Sequence, residues 1–176
     1  MITFKQFILE SGQPKRSVEP DGSQVWFYNA KLHRTDGPAV IHPDGTKEWL
    51  INGQLHRTDG PAVIRPDGTK EWFINGQLHR IDGPAVTHPN GREEWFQNFK
   101  RHRVGGPAYI SSDGVKHWFQ NGHRHNPDGP AIIYPNGTRA WFINNKEMTE
   151  NDFLVYKKQQ DVKDAISKND QSGWNL

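Results

Sequence analysis

Trp26, Trp49, Trp72, Trp95, Trp118 and Trp141 stand 23 residues apart without one slip of register. His33, His56, His79, His102 and His125 keep the same step. So do Gly37-Pro38-Ala39, Gly60-Pro61-Ala62, Gly83-Pro84-Ala85, Gly106-Pro107-Ala108 and Gly129-Pro130-Ala131. A fixed spacing of this kind means stacked supersecondary units, each burying its apolar face against its neighbours. The six Trp are the candidate core of that array.

One unit, from Thr46 to Gly68, reads as two strands and two turns. Thr46 to Ile51 is rich in β-branched and aromatic residues and runs into Asn52-Gly53. That dipeptide suits a type I′ hairpin turn, in which both central residues need positive φ. The chain returns through Leu55, His56 and Arg57, passes Asp59-Gly60-Pro61 and continues as Ala62-Val63-Ile64. Pro66-Asp67-Gly68 supplies the second turn, with Pro pre-setting φ and Gly accepting positive φ. The Pro of each Gly-Pro step removes a ladder donor and predicts a bend or bulge. No helical period occurs within the array. The expected fold is all-β: a single-layer antiparallel meander of six 23-residue β-hairpin repeats, about a dozen strands.

The ends differ from the middle. Phe4, Phe7 and Ile8 make an i, i+3, i+4 stripe, predicting an amphipathic leader helix over 1–10, and 11–17, with Pro14, reads as a linker. The array occupies 18–148. Thr149 with Asp152 resembles a capping box, and Phe153, Leu154, Tyr156, Val162, Ala165 and Ile166 follow at helical spacings. Residues 149–176 are therefore expected to form a C-terminal capping helix and tail over the last sheet edge.

Composition narrows the class of function. The 176 residues carry 22 Lys plus Arg against 20 Asp plus Glu, so net charge supplies neither a basic nucleic-acid tail nor an acidic mimic of DNA. Hydrophobic residues are only 33 %, yet seven Trp argue against disorder. The absence of Cys excludes disulfides, thiolate metal sites and cysteine nucleophiles. No apolar run approaches the ~20 residues that span a bilayer, and no secretory signal stands out, so a cytosolic protein with no membrane partner is expected.

The array, residues 18–147, resembles the membrane-occupation-and-recognition-nexus (MORN) repeats. It is nearest the divergent variants of bacterial, phage and giant-virus proteins, in which Trp-Phe-Ile-Asn-Gly and Leu-His-Arg-x-Asp-Gly-Pro-Ala recur. The resemblance implies a β-hairpin array used as a binding scaffold, not an enzyme fold. The sequence departs from that pattern where Asn29-Ala30, Asn98-Phe99 and Asn144-Asn145 replace Asn-Gly, and where Gly105 replaces Asp. The first ten residues, Met1 to Glu10, are similar to the capsid-targeting leaders of internal proteins in T-even-type bacteriophages. Those leaders are cut after a Glu, and Ile8-Leu9-Glu10 fits the processing rule, although a smaller residue is commoner at the place of Leu9.

The conspicuous polar residues have structural explanations. Two ligands of one zinc must approach to roughly 3–4 Å, since each lies about 2.0–2.1 Å from the metal. His side chains projecting in parallel from repeats about 10 Å apart cannot converge that closely. No metal or other cofactor is therefore expected, and His is expected to bond the loop Asp of its own unit. The Asp of Pro-Asp-Gly is turn chemistry, because one carboxylate per loop does not supply the six to eight oxygens of calcium. Catalysis needs a nucleophile held by a base, and no Ser recurs beside the His ladder. An enzyme is not expected.

The most individual segment is 100–125, where Lys100, Arg101, Arg103, Lys116 and Arg124 stand against Asp113 alone. Phe99 beside it occupies a turn position otherwise given to Gly. These six residues are the candidate partner-binding patch, fit for an acidic protein face or for phosphate. The sequence thus reads as a non-enzymatic scaffold, packed in a capsid, injected and binding a host or phage protein. The expected location is the virion interior and then the host cytoplasm. The alternative is an internal protein that binds or compacts nucleic acid through 100–125.

Overall fold

The computed structural model describes residues 13–172. The leader with Ile8, Leu9 and Glu10 lies outside them, as does Trp174. The fold is all-β, a single-layer antiparallel meander of hairpin repeats, apart from a C-terminal helix. The chain divides into two units, Met1–Arg101 and His102–Leu176.

In the first unit the sheet runs in chain order through Lys15–Val18, Gln24–Tyr28, Val40–Ile41, Lys47–Glu48, Val63–Ile64, Lys70–Glu71, Val86–Thr87 and Glu93–Glu94. Lys15–Val18 pairs with Gln24–Tyr28, so part of the expected linker is instead the first strand. Each repeat adds two strands to the sheet and one separate hairpin, such as Leu50–Ile51 with Gln54–Leu55. The long strand expected over 46–51 is therefore split, and the split falls at Trp49. The Trp49 N–H donates to Ala62 in the sheet at 2.8 Å, while its carbonyl accepts from His56 in the hairpin at 2.9 Å. Trp72 repeats the pattern with Ala85 and His79. Trp is thus the pivot at which the strand leaves the sheet and enters the hairpin.

In the second unit the sheet order is Tyr109–Ile110, Lys116–His117, Ile132–Ile133, Arg139–Ile143 and Lys146–Met148, with a hairpin of Phe119–Gln120 and His123–Arg124. The helix Glu150–Ser172 follows. Its start is capped as expected: Thr149 Oγ1 accepts the Asp152 N–H at 3.1 Å and donates to Asp152 Oδ2 at 2.7 Å. Phe153 is buried, whereas Leu154, Val155, Val162 and Ile166 are exposed. The helix docks through its first turns.

The turn chemistry follows the sequence closely. Asn52 (φ 52°) and Gly53 (φ 82°) take the left-handed conformation of a type I′ turn. Ala30, Phe99 and Asn145 keep positive φ at 58°, 62° and 66° although they replace Gly. In the second turn, Asp44 Oδ1 accepts the Thr46 N–H at 2.8 Å and Oδ2 accepts its hydroxyl at 3.0 Å. Asp21 does the same with Ser23. These hydrogen bonds hold the carboxyls of Asp21, Asp44 and Asp67 below their ordinary value of 3.8. A lowered folded-state pKa means stability that is present above the ordinary value and lost as pH falls through the folded one. The melting temperature should therefore drop below about pH 4, and Asp67→Asn should remove part of that drop. A melting temperature unchanged between neutral pH and pH 3 would contradict it.

The core is not where the Trp period places it. Ala39, Ala62 and Ala85 in the first unit, and Ala108 and Ala131 in the second, are wholly buried. Around them pack Val40, Val63, Val86, Leu50 and Phe73. Trp95 is buried at 8 % exposure, but Trp26, Trp49, Trp72, Trp118 and Trp141 are half-buried. The reason is geometric. The residue one step beyond Trp begins the hairpin and packs into the core, Leu50 with Val25, Ala39 and Val40 and Phe73 with Ala62 and Val63, while the pivot stays at its border.

Candidate functional site

The recurring Arg-x-Asp-Gly-Pro loop is built on that half-buried Trp. The guanidinium of Arg57 stacks on Trp49 with Cζ 4.3 Å from the ring centroid, and Arg34 and Arg80 do the same on Trp26 and Trp72 at 4.3 and 4.2 Å. Arg57 Nε donates to Asp59 Oδ1 at 2.8 Å and Nη1 to the Pro61 carbonyl at 3.3 Å. This bond holds the Asp59 carboxyl below its ordinary pKa, and the matching bonds act likewise on Asp36 and Asp82. Gly60 leaves room for the guanidinium, since a Cβ there would stand 3.0 Å from Arg57 Cζ and push it aside. The guanidinium is thus fixed on four sides, by a ring, a carboxylate, a carbonyl and a bare Cα.

The His ladder serves the same frame with a different partner from the one expected. His56 Nδ1 lies 2.9 Å from Asn75 Oδ1 and accepts the Asn75 backbone N–H at 3.2 Å. His33 with Asn52 and His79 with Asn98 repeat this in the first unit, and His102 with Asn121 in the second. Each His therefore bonds the hairpin turn of the following repeat, 19 residues on, and not the Asp of its own loop. The Asp is taken by Arg. The His ladder is a set of staples between neighbours.

Between successive Arg loops of the first unit lie two equivalent clefts. One is walled by Arg34–Pro38 and by Arg57–Asp59, with Trp49, Ile51 and His56 along it, and has a volume of about 560 Å³. The next is walled by Arg57–Gly60 and by Arg80–Asp82, with Trp72, Ile74 and His79, and has a volume of about 520 Å³. The wall around Thr58 is shared. Each cleft combines an aromatic and an aliphatic side chain with balanced Arg–Asp pairs, so it can hold a ligand with apolar faces and hydrogen-bonding edges.

The sequence-predicted patch is distributed differently. Phe99 stands at a hairpin tip, 63 % exposed, and Lys100 beside it is exposed. Arg101 is drawn onto Glu94, with Nε 3.1 Å from Oε2. Arg103 belongs to the second unit and donates to the Pro107 carbonyl at 3.2 Å, as the loop arginines do elsewhere. Lys116 and Arg124 are exposed there, with Arg124 Cζ 5.6 Å from the Phe142 ring centroid. Arg101 and Arg103 are thus engaged within their own repeats. The cleft residues themselves went unnoticed in the sequence, where Arg-x-Asp-Gly-Pro read as turn structure. One signal was available: within that loop the x position varies, as Thr35, Thr58 and Ile81.

Among the described residues no group of three or more His, Asp and Glu is placed to hold a metal ion, and no helix is long and apolar enough to cross a membrane. Comparison with protein-family models gives no match, and comparison with curated proteins gives none.

Proposed function

We propose that this protein is a non-enzymatic binding scaffold, of the MORN-like type its repeats resemble, and that it engages a partner protein through the repeated clefts of residues 34–82. The observation that carries the reading is the repetition of the cleft itself. Two copies of one amphipathic hollow share the wall at Thr58, and each is bounded by a guanidinium fixed by Trp, Asp and a Pro carbonyl. Preorganised side chains lose little entropy on binding, which is what a recognition surface needs. Repetition favours a surface over a single asymmetric reaction centre. In the finer form of the proposal, the leader directs the protein into a phage capsid, is removed after Glu10, and the array then meets a host factor.

A photo-crosslinking amino acid with a small aliphatic diazirine side chain, no bulkier than Leu, at Thr58 tests the scaffold, with Lys70 on the open sheet as the control position. A discrete protein captured at Thr58, and not at Lys70, is the expected result. Capture of nucleic acid instead, falling steeply as salt rises, would transfer the function to phosphate binding. Mass spectrometry of purified virions tests the finer form. It should find a chain beginning at Ser11, and an intact Met1 to Glu10 there would remove it.

A further inference from the structure

Resting on the scaffold reading, we infer that the two clefts of the first unit bind a polyproline-II segment of the partner, one turn of the segment per cleft.

The first argument is the period. Each repeat adds two strands to the sheet, so equivalent points on successive clefts lie about 9.6 Å apart at ordinary strand spacing. A polyproline-II helix has three residues per turn and rises about 3.1 Å per residue, hence about 9.3 Å per turn. Every third side chain then meets an equivalent site without bending the ligand. An extended β-strand presents one face every second residue, about 6.8 Å, and falls out of step at the second cleft. An α-helix comes back into register only after two turns, about 10.8 Å, and its carbonyls are already bonded internally.

The second argument is hydrogen-bond chemistry. A proline-rich chain has few N–H groups and presents its carbonyls outward, so it needs donors and offers none. Trp49 and Trp72, which line the clefts, carry such donors. Among the described residues the indole N–H of Trp49 and that of Trp72 make no hydrogen bond. With one Trp face taken by its arginine, Ile51 or Ile74 beside the exposed part of the half-buried Trp gives the apolar contact for a pyrrolidine ring. The third argument is charge. Arg34 with Asp36 and Arg57 with Asp59 balance within each wall, so the clefts carry no net attraction for a phosphate polymer and suit a neutral backbone.

The test is an NMR titration of the full-length protein, following Trp indole N–H resonances, with oligoprolines of one, two and three turns. A Gly-Ser peptide and cellohexaose serve as controls. The indole resonances of Trp49 and Trp72 should shift with oligoproline and not with Gly-Ser. Affinity should rise about tenfold or more from one turn to two, as the second cleft becomes an intramolecular contact, and little beyond. Trp72→Phe should weaken two-turn binding about three- to tenfold by removing one donor. Thr58→Tyr, at the exposed shared wall, should abolish it while the melting temperature stays unchanged. No indole shift with any oligoproline, affinity independent of length, or a stronger response to cellohexaose would overturn the inference. Capture at Thr58 of a partner without a proline-rich segment would overturn it and leave the scaffold reading standing. Absence of both capture and shift would remove both.

Discussion

Phe73→Ala should destabilise the array by about 3–5 kcal/mol, the range for deleting a large buried aromatic, and Trp72→Ala should cost about half as much. Phe73 is 9 % exposed and packs in one cluster with Ala62 and Val63, against Leu55, Leu78 and Trp49. Its removal leaves a cavity that those neighbours cannot close. Trp72 is half-buried, and water can enter where its ring stood. Besides its partial burial it loses the platform under Arg80, 4.2 Å away, worth about 0.5–1 kcal/mol at a partly exposed site. Urea titrations of both variants give the ranking directly. A larger loss for Trp72 would return the core to the Trp ladder.

Glu94→Ala should be the most damaging change to a charged residue, at about 3 kcal/mol. The Glu94 side chain is 6 % exposed and faces the buried side of the sheet, opposite Val86. Its carboxylate accepts Arg92 Nη2 through Oε1 and Arg101 Nη2 through Oε2, both at 2.5 Å. Breaking a buried ion pair costs about 3–5 kcal/mol when the surviving charge stays buried. Here the two arginines are 40 % and 37 % exposed and can turn toward water, which sets the lower end. Glu71, at the equivalent place in the preceding repeat, is 17 % exposed and among the described residues pairs with a single arginine, Arg65, so Glu71→Ala should cost less. Melting both variants beside Arg101→Ala and the double variant gives the coupling. Equal losses at Glu71 and Glu94, or additivity between Glu94 and Arg101, would show that the buried pair contributes nothing particular.

Several features were legible residue by residue. Asn-Gly predicts left-handed φ at two consecutive positions, and Asn52-Gly53 and Asn75-Gly76 have it. Pro-Asp-Gly predicts an Asp that bonds two residues ahead, and Asp44 does so. Thr149 with Asp152 predicts a helix start, and Glu150–Ser172 begins there. Other features were legible only as a period. Trp, the most apolar-looking member of each repeat, invited the role of core. The wholly buried residue is Ala62, beside a Pro and unremarkable in composition. The candidate patch at 100–125 depended on counting charges along the chain, and such counting does not see Glu94 beside Arg101.

By itself, then, the sequence determined the repeat, the turns, the absence of helix within the array and the capped helix at its end. Each of these is set by φ preferences and hydrogen bonds reaching only a few residues along the chain. Tertiary structure alone decided that Trp is a pivot and platform, that His56 staples to Asn75, and that Arg57 with Asp59 walls two clefts at once. Those relations join residues brought together by stacking one repeat on the next. The physical reason is that Trp49 sends its N–H to the sheet and its carbonyl to the hairpin. That crossing takes the chain from the sheet into the hairpin, buries Leu50 and Ala62, and leaves the indole with its arginine at the open border where the clefts lie.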